Sequence, residues 1–199
     1  MRRIGFPRRV CTTVLAAGAI LLLACVGYPA RADEGVSVRG DAAAYAAEGD
    51  RLFERLLQAE DETEGYAIEV EVWMHWMSAP DDESMRLMTK ALERRRNQDL
   101  DAAVAILDDL IAIAPDWAEA WNQRATIRYM QGEYNASLAD IEETLLREPR
   151  HFGAMAGMAL ILVQQGRARQ AQAILHEAVA IHPYLRERWM IADAPGKEL

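Results

Sequence analysis

The stretch Ala118–Pro149, AEAWNQRATIRYMQGEYNASLADIEETLLREP, decides how this chain of 199 residues folds. In two of its segments, 118–130 and 134–147, apolar residues recur at three- and four-residue spacing, which is typical of a helix with one buried face. Gly132 lies between them, where glycine lets the chain turn through a conformation that costs other residues more. Pro149 ends the second segment, because proline cannot continue a helix. The stretch therefore predicts a helical hairpin.

This hairpin recurs along the chain. Three prolines stand 34 residues apart: Pro115, Pro149 and Pro183. The third copy, 152–183, keeps a turn glycine and small or apolar residues at the corresponding positions. The first copy, 84–117, keeps the apolar positions and has Gln98 in place of the glycine. One such hairpin cannot bury its apolar face alone, so we expect the copies to stack.

The middle copy, 118–151, shows a pattern of tryptophan, small residue, turn glycine, aromatic residue, apolar pair and closing proline. The residues are Trp121, Ala125, Gly132, Tyr134, Leu138, Ile141 and Pro149. With the period of 34, this pattern resembles the tetratricopeptide repeat (TPR). The blocks WNQRAT, SLADIE and EPRHFGA are similar to those of exported TPR proteins from alphaproteobacteria. The resemblance implies an all-α fold, a right-handed solenoid of about three helical hairpins with capping helices at both ends.

The segments on either side of the repeats are expected to form those caps. Helices are predicted over 42–59 and 66–76, with the acidic run 60–62 ending the first, and together they make an N-terminal cap within 42–83. The second helix carries one apolar face: Val70, Trp73, Met74 and Met77. After the third copy, 184–199 predicts a short C-terminal cap and a tail.

Residues 1–32 predict a Sec-type signal peptide. Arginines precede an uncharged run from Val10 to Tyr28, and Ala30-Arg31-Ala32 supplies the small residues of a cleavage site. Cleavage after Ala32 would release a periplasmic protein that begins with a linker, 33–41.

Two alternatives to cleavage remain. The stretch 22–25 resembles a bacterial lipobox with Cys25 as the lipidated residue, although Leu23 is not the small residue usually found there. The apolar run is also just long enough to remain as a membrane anchor. A membrane contact is therefore expected only through an uncleaved leader or a lipid on Cys25.

The charge of the exported chain limits its partners. The leader contains five arginines and no acid, so its removal leaves 17 basic against 31 acidic residues, a net charge of −14. This charge argues against nucleic acid and against anionic lipid surfaces as partners. Both cysteines, Cys11 and Cys25, lie in the leader, so the remaining chain has no disulfide and must be stabilised by packing.

No pattern of residues predicts a catalytic, cofactor or metal site. The sequence lacks a nucleophile-elbow, a phosphate-binding glycine loop and a C-x-x-C pair. His176 and His182 are six residues apart, so they lie on different helix faces and not at the spacing of a metal pair. Adjacent acids such as Asp108-Asp109 are expected to be solvated rather than catalytic. An enzyme with an unrecognised site is the alternative from another class.

Basic residues occupy two positions of the first helix in successive copies: Lys90 and Arg94, then Arg124 and Arg128. Each residue stands 34 positions from its counterpart in the next copy, so the four side chains should line up on neighbouring hairpins as a basic ladder. One interpretation is that they pair with nearby acids, such as Asp108 and Asp140, and lock the repeats together. The other is that they grip an anion or a C-terminal carboxylate of a partner.

The concave face of the first helices is the predicted interaction surface. Its candidate contacts with a protein or peptide are Arg95, Asn122, Thr126 and Tyr129, with Arg124 and Arg128 added from the ladder. Methionines of the first copy, such as Met85 and Met88, either line this groove or are covered by the N-terminal cap. The function predicted is a non-enzymatic protein-binding scaffold of the cell envelope. The alternative is a lipid- or membrane-anchored subunit of an envelope assembly complex.

The segment REPRHFGAMAG, 147–157, resembles a site but is interpreted as the junction between the second and third copies. The glycines and alanines after Phe152 make a thin helix that a neighbour can approach closely. We expect Arg147, Arg150 and His151 to pair with acids of the preceding repeat, with a basic spot for a partner as the alternative.

Overall fold

A computed structural model describes residues 38–191, which form eight α-helices and one 3-10 helix. The α-helices are α1 Ala42–Gln58, α2 Glu62–Trp76, α3 Asp82–Arg96, α4 Leu100–Ile113, α5 Ala118–Met130, α6 Tyr134–Arg147, α7 Phe152–Gln164 and α8 Ala168–Ile181, and the 3-10 helix is Arg186–Met190. Consecutive helices pack in neighbouring pairs, which confirms the predicted all-α helical solenoid. Within this range, no helix is long and apolar enough to cross a membrane. The predicted signal peptide lies outside the described residues.

The turn inside each of the three central helix pairs has one shared feature. A single residue with positive φ stands at the same repeat position: Gln98 at 60°, Gly132 at 79° and Gly166 at 74°. The next backbone N–H donates to a carbonyl of the first helix at 2.8 to 3.0 Å. Glycine favours this helix ending because it has no Cβ to crowd the left-handed conformation. The first repeat makes the same turn with a glutamine.

Aspartates define where two N-terminal helices begin. Asp61 accepts hydrogen bonds at 2.9 Å from the backbone N–H groups of Thr63 and Glu64, so α2 begins four residues earlier than the sequence pattern predicts. The acidic run 60–62 is therefore the start of α2 and not the end of α1. Asp81 accepts from the N–H of Ser84 at 2.8 Å, and α3 likewise begins slightly before the predicted repeat boundary.

The α1–α2 hairpin reaches from the first repeat to the third. Its buried side chains form one cluster with residues of α7, α8 and the chain after them: Leu52, Phe53, Leu56, Ile68, Val72 and Trp76 with Phe152, Met155, Ala178 and Leu185. Met77 and Ala79, directly after α2, pack instead with the buried Met88 of α3. The hairpin therefore does more than cover the N-terminal end of the stack.

We predict that Gln98→Gly stabilises the protein. Glycine removes the cost of the left-handed conformation, which is about 1–2 kcal/mol. It also raises the conformational entropy of the unfolded chain, which opposes folding, so the expected net gain in the free energy of unfolding is about 0.5–1 kcal/mol. Gly132→Gln should lose about 1 kcal/mol, because a Cβ there meets no other atom within 4 Å and only the backbone conformation opposes it.

Urea unfolding followed by circular dichroism measures both changes. Gln165→Gly is the matched control, since Gln165 has a φ of −80° and glycine there should destabilise. A loss of stability in Gln98→Gly would contradict the interpretation of this turn.

Candidate functional site

The surface formed by the first helices of the three repeats, α3, α5 and α7, is here called the inner face, and α2 lies against it. Trp73 of α2 packs on Gly153 of α7. A Cβ atom at position 153 would lie 2.6 Å from Cη2 and 2.7 Å from Cζ2 of the Trp73 ring. Only glycine fits at this distance, so the thin helix predicted after Phe152 is the surface that receives a tryptophan.

One turn further along α2, Trp76 is held by two other parts of the chain. Its ring stacks on that of His151, with centroids 3.9 Å apart and planes 11° apart. The indole N–H of Trp117 donates to the backbone carbonyl of Trp76 at 2.8 Å. Trp76, Trp117 and His151 are all buried. The contacts of Trp76 therefore connect α2 to the junctions before α5 and before α7.

A buried carboxylate lies beneath this aromatic layer. Glu119, in the first turn of α5, is fully buried and accepts hydrogen bonds from Asn122 at 3.1 Å, Gln123 at 2.5 Å and His151 at 3.0 Å. The positive end of the helix dipole adds to these donors. Several donors to one carboxylate compensate for its removal from water.

The neighbours of His151 determine which of its two ring nitrogens carries the hydrogen. Nδ1 accepts the backbone N–H of Ala154 at 3.1 Å, so Nε2 carries the hydrogen that is donated to Glu119. Arg95 of α3 joins the same network, because it donates to the side-chain oxygen of Gln123 at 2.6 Å. The network thus joins all three repeats.

Three of the predicted contact residues come together in one cleft. A cavity of about 40 Å³ lies between α2, α5, α6 and α7, and its lining includes Trp73, Asn122, Thr126 and Tyr129. Asn122 and Tyr129 form a nearly closed floor, with 6% and 9% of their surfaces exposed, whereas Thr126 is partly exposed. The Tyr129 hydroxyl accepts a hydrogen bond from Gln164 at 2.7 Å, and burial raises its pKa. Trp73 thus forms one wall of the predicted groove.

The predicted basic ladder is tied to carboxylates. Arg124 contacts both oxygens of the buried Asp140, at 2.7 and 3.0 Å, and a third nitrogen contacts Asp108 of α4 at 2.6 Å. Arg128 lies 2.9 Å from Asp140. Burial acts to lower the pKa of Arg124, but the two aspartates hold it above its usual value. These pairs agree with the interpretation that the ladder locks the repeats together, and partner binding by Arg124 and Arg128 stays a prediction.

The first copy of the ladder is less buried. Arg94 pairs with Asp99 at 2.9 Å in the turn that follows α3. Lys90 is exposed.

The junction 147–157 ties three parts of the fold together. His151 binds Glu119 of the preceding repeat, as predicted. Arg147 donates to Glu143 of its own helix at 2.6 Å and to the carbonyl of Pro115. The third member of the set, Arg150, contacts Glu148 at 3.2 Å and also Asp50 of α1 at 2.8 Å, which is not an acid of the preceding repeat. The junction thus also anchors the N-terminal hairpin.

Comparison with known proteins agrees with this architecture. The fold and its 34-residue period define a helical-hairpin repeat protein. No protein-family model matches the chain. A TPR repeat-containing protein from Rhizobium etli is 39% identical over 137 residues, which cover 67% of this chain and 66% of the relative, slightly less than two thirds of its length. The chain belongs to the tetratricopeptide-repeat proteins.

Repeats of this class generally mediate protein–protein interactions and generally act as non-enzymatic scaffolds. Across residues 38–191, no group of three or more histidine, aspartate or glutamate side chains is arranged to hold a metal ion.

The sequence pattern left open whether the N-terminal cap covers part of the inner face, and it did not reveal that α2 packs on α7. A signal for it was nonetheless present in the apolar positions of α2, which occupy more than one side of the helix. Ile68, Val72 and Trp76 are buried, Trp73 packs on α7, and Val70 and Met74 are largely exposed. A helix that is apolar on several sides is expected to have several packing partners.

We predict that Gly153→Ala destabilises the protein by about 1–3 kcal/mol, because the new methyl group overlaps the Trp73 ring. Inside a helix the same substitution ordinarily stabilises by about 0.5–1 kcal/mol, so the sign of the effect is diagnostic. Urea unfolding measures it.

A Trp73→Leu background supplies the control. There Gly153→Ala should be neutral or stabilising, because the overlapping ring is gone. An increase in stability in both backgrounds would contradict the contact between α2 and α7.

Proposed function

We propose that the protein is a non-enzymatic scaffold of the bacterial cell envelope that binds a protein or peptide segment along the cleft between α2 and the inner face. The observation that carries this proposal is the convergence of Asn122, Thr126 and Tyr129 on one cleft whose opposite wall is Trp73. Arg95 of α3 belongs to the hydrogen-bond network of Glu119, because it donates to Gln123.

Exposed apolar side chains next to this wall supply the contact surface. Val70 and Met74 of α2 are 43% and 51% exposed, and they lie one turn apart on the same side of the helix. Methionine adapts to varied partner shapes, and apolar residues at this spacing are typical of surfaces that receive an amphipathic or extended segment. The net charge of −14 after removal of the leader favours a neutral or basic partner.

We expect Met74→Glu to weaken partner binding at least tenfold, about 1.4 kcal/mol, because it places a charge in an apolar contact. Leu146→Glu is the matched control. Leu146 of α6 is 75% exposed, so this substitution adds the same charge at a surface position away from the cleft. The full chain, tagged at its C-terminus, would be used to capture proteins from an envelope extract for quantitative mass spectrometry.

The proposal requires a set of captured proteins that is kept by Leu146→Glu and lost by Met74→Glu. Equal capture by the two variants would exclude the cleft as the binding surface.

The envelope location rests on the leader, which we propose is cleaved after Ala32. The intact mass of the protein purified from cells should then correspond to a chain that begins at Asp33. A mass that includes a diacylglyceryl group on Cys25 would support the lipid-anchored alternative, and a full-length mass in the membrane fraction would support the anchored one.

A further inference from the structure

A second cavity lies on the other side of Trp73, between α2, α7 and the C-terminal 3-10 helix. Its volume is about 30 Å³. Two carboxylates, two aromatic rings, one arginine and three small or apolar residues surround it: Glu69, Trp73, Phe152, Gly153, Ala156, Leu185, Arg186 and Glu187. Removing a carboxylate from water beside aromatic rings is costly unless the charge is paired.

Glu187 is the feature that requires explanation. Only 5% of its surface is exposed, and no basic group among residues 38–191 forms an ion pair with it. Burial, and then the nearby charge of Glu69, raise the pKa of Glu187. Arg186 and His182 act to lower the pKa of Glu187, but neither forms an ion pair with this buried carboxylate, which calls for an explanation such as a bound ligand.

The basic residue of the lining, Arg186, is held by an aromatic ring. The guanidinium of Arg186 stacks on the ring of Tyr66, 4.6 Å from its centroid. Glu69 is held in position, because it lies 3.3 Å from the indole nitrogen of Trp73 and 3.3 Å from Nε2 of His182. The carboxylate of Glu69 therefore has a fixed place at the cavity, whereas that of Glu187 has no side-chain donor among the residues that the structure describes.

We propose that this cavity binds the ammonium group of a lysine side chain carried by the partner segment, an inference that rests on the proposed function. The carboxylates of Glu187 and Glu69 supply the counter-charge, and the rings of Trp73 and Phe152 supply a surface that attracts cations. A cavity of about 30 Å³ has room for about two water molecules, which suits an ammonium group and its last methylene better than a planar guanidinium.

The affinity for an ammonium group should rise with pH. A carboxyl with a raised pKa holds its proton to higher pH, and the incoming cation must displace that proton. Glu69, His182 and Arg186 are the other titratable or charged groups that act on Glu187.

The test is a titration of the full chain with Nα-acetyl-lysinamide, followed by the backbone amide signals of Gly153, Ala156 and Glu187 in nitrogen-15 NMR spectra. We expect saturable shifts with a dissociation constant in the millimolar range, and tighter binding at about pH 8 than at about pH 5. Nα-acetyl-norleucinamide, which lacks the ammonium group, should leave these signals unchanged.

Glu187→Gln should weaken lysinamide binding at least about tenfold while keeping the shape of the side chain. Glu177→Gln is the matched control, because Glu177 is an exposed carboxylate on α8. Glu69→Gln provides a second variant in case the first perturbs the 3-10 helix.

Equal binding of lysinamide and norleucinamide, or unchanged binding by Glu187→Gln, would overturn the inference. Binding of Nα-acetyl-argininamide as tight as that of lysinamide would contradict the assignment to an ammonium group. If these tests fail while Met74→Glu still loses its partners, only this inference falls, and the proposed scaffold function stands.

Discussion

The fold depends on one buried carboxylate. Glu119 accepts hydrogen bonds from its own helix and from His151, and Arg95 reaches it through Gln123. His151 in turn carries the stacked ring of Trp76. A buried charge is stable only when its donors are in place, so the three repeats and the N-terminal hairpin constrain one another at this point. The position of α2 in this network also determines where Trp73 contacts α7 and where the cavities beside that ring lie.

The contact between α2 and α7 explains the unusual composition of the third repeat. The two glycines of α7, Gly153 and Gly157, make this helix intrinsically weaker, because glycine loses more conformational entropy on folding than alanine does. Gly153 is nevertheless needed, since the Trp73 ring occupies the space of a Cβ atom. The resulting burial of a large aromatic surface offsets the weaker helix propensity. The same ring separates the two cavities, so its position determines the shape of both.

Local features of this structure could be predicted from the sequence, and long-range ones could not. Local features include the period of 34, the helix pairs and the turn at Gln98. They depend on residues that are close in the chain, so the spacing of those residues in the sequence indicates them. The ion pair of Asp50 with Arg150 joins residues 100 positions apart, and that of Glu62 with Arg188 spans 126. Such pairs leave no periodic signal. Asn122, Thr126 and Tyr129 of α5 line one cleft, and their role as contact residues stays a prediction, whereas the contact of Trp73 of α2 with that cleft was not predicted.

The N-terminal hairpin also affects how the repeats are expected to unfold. In a linear solenoid each repeat touches only its neighbours, and the terminal repeats can unfold alone. Here the tyrosine hydroxyl of Tyr184 donates to the carbonyl of Ala59, and Glu62 pairs with Arg188, so the start of the described chain is fastened to its end. Among residues 38–191, the third repeat is thus held by the N-terminal hairpin as well as by the second repeat. We therefore expect these parts to unfold together in a single cooperative step.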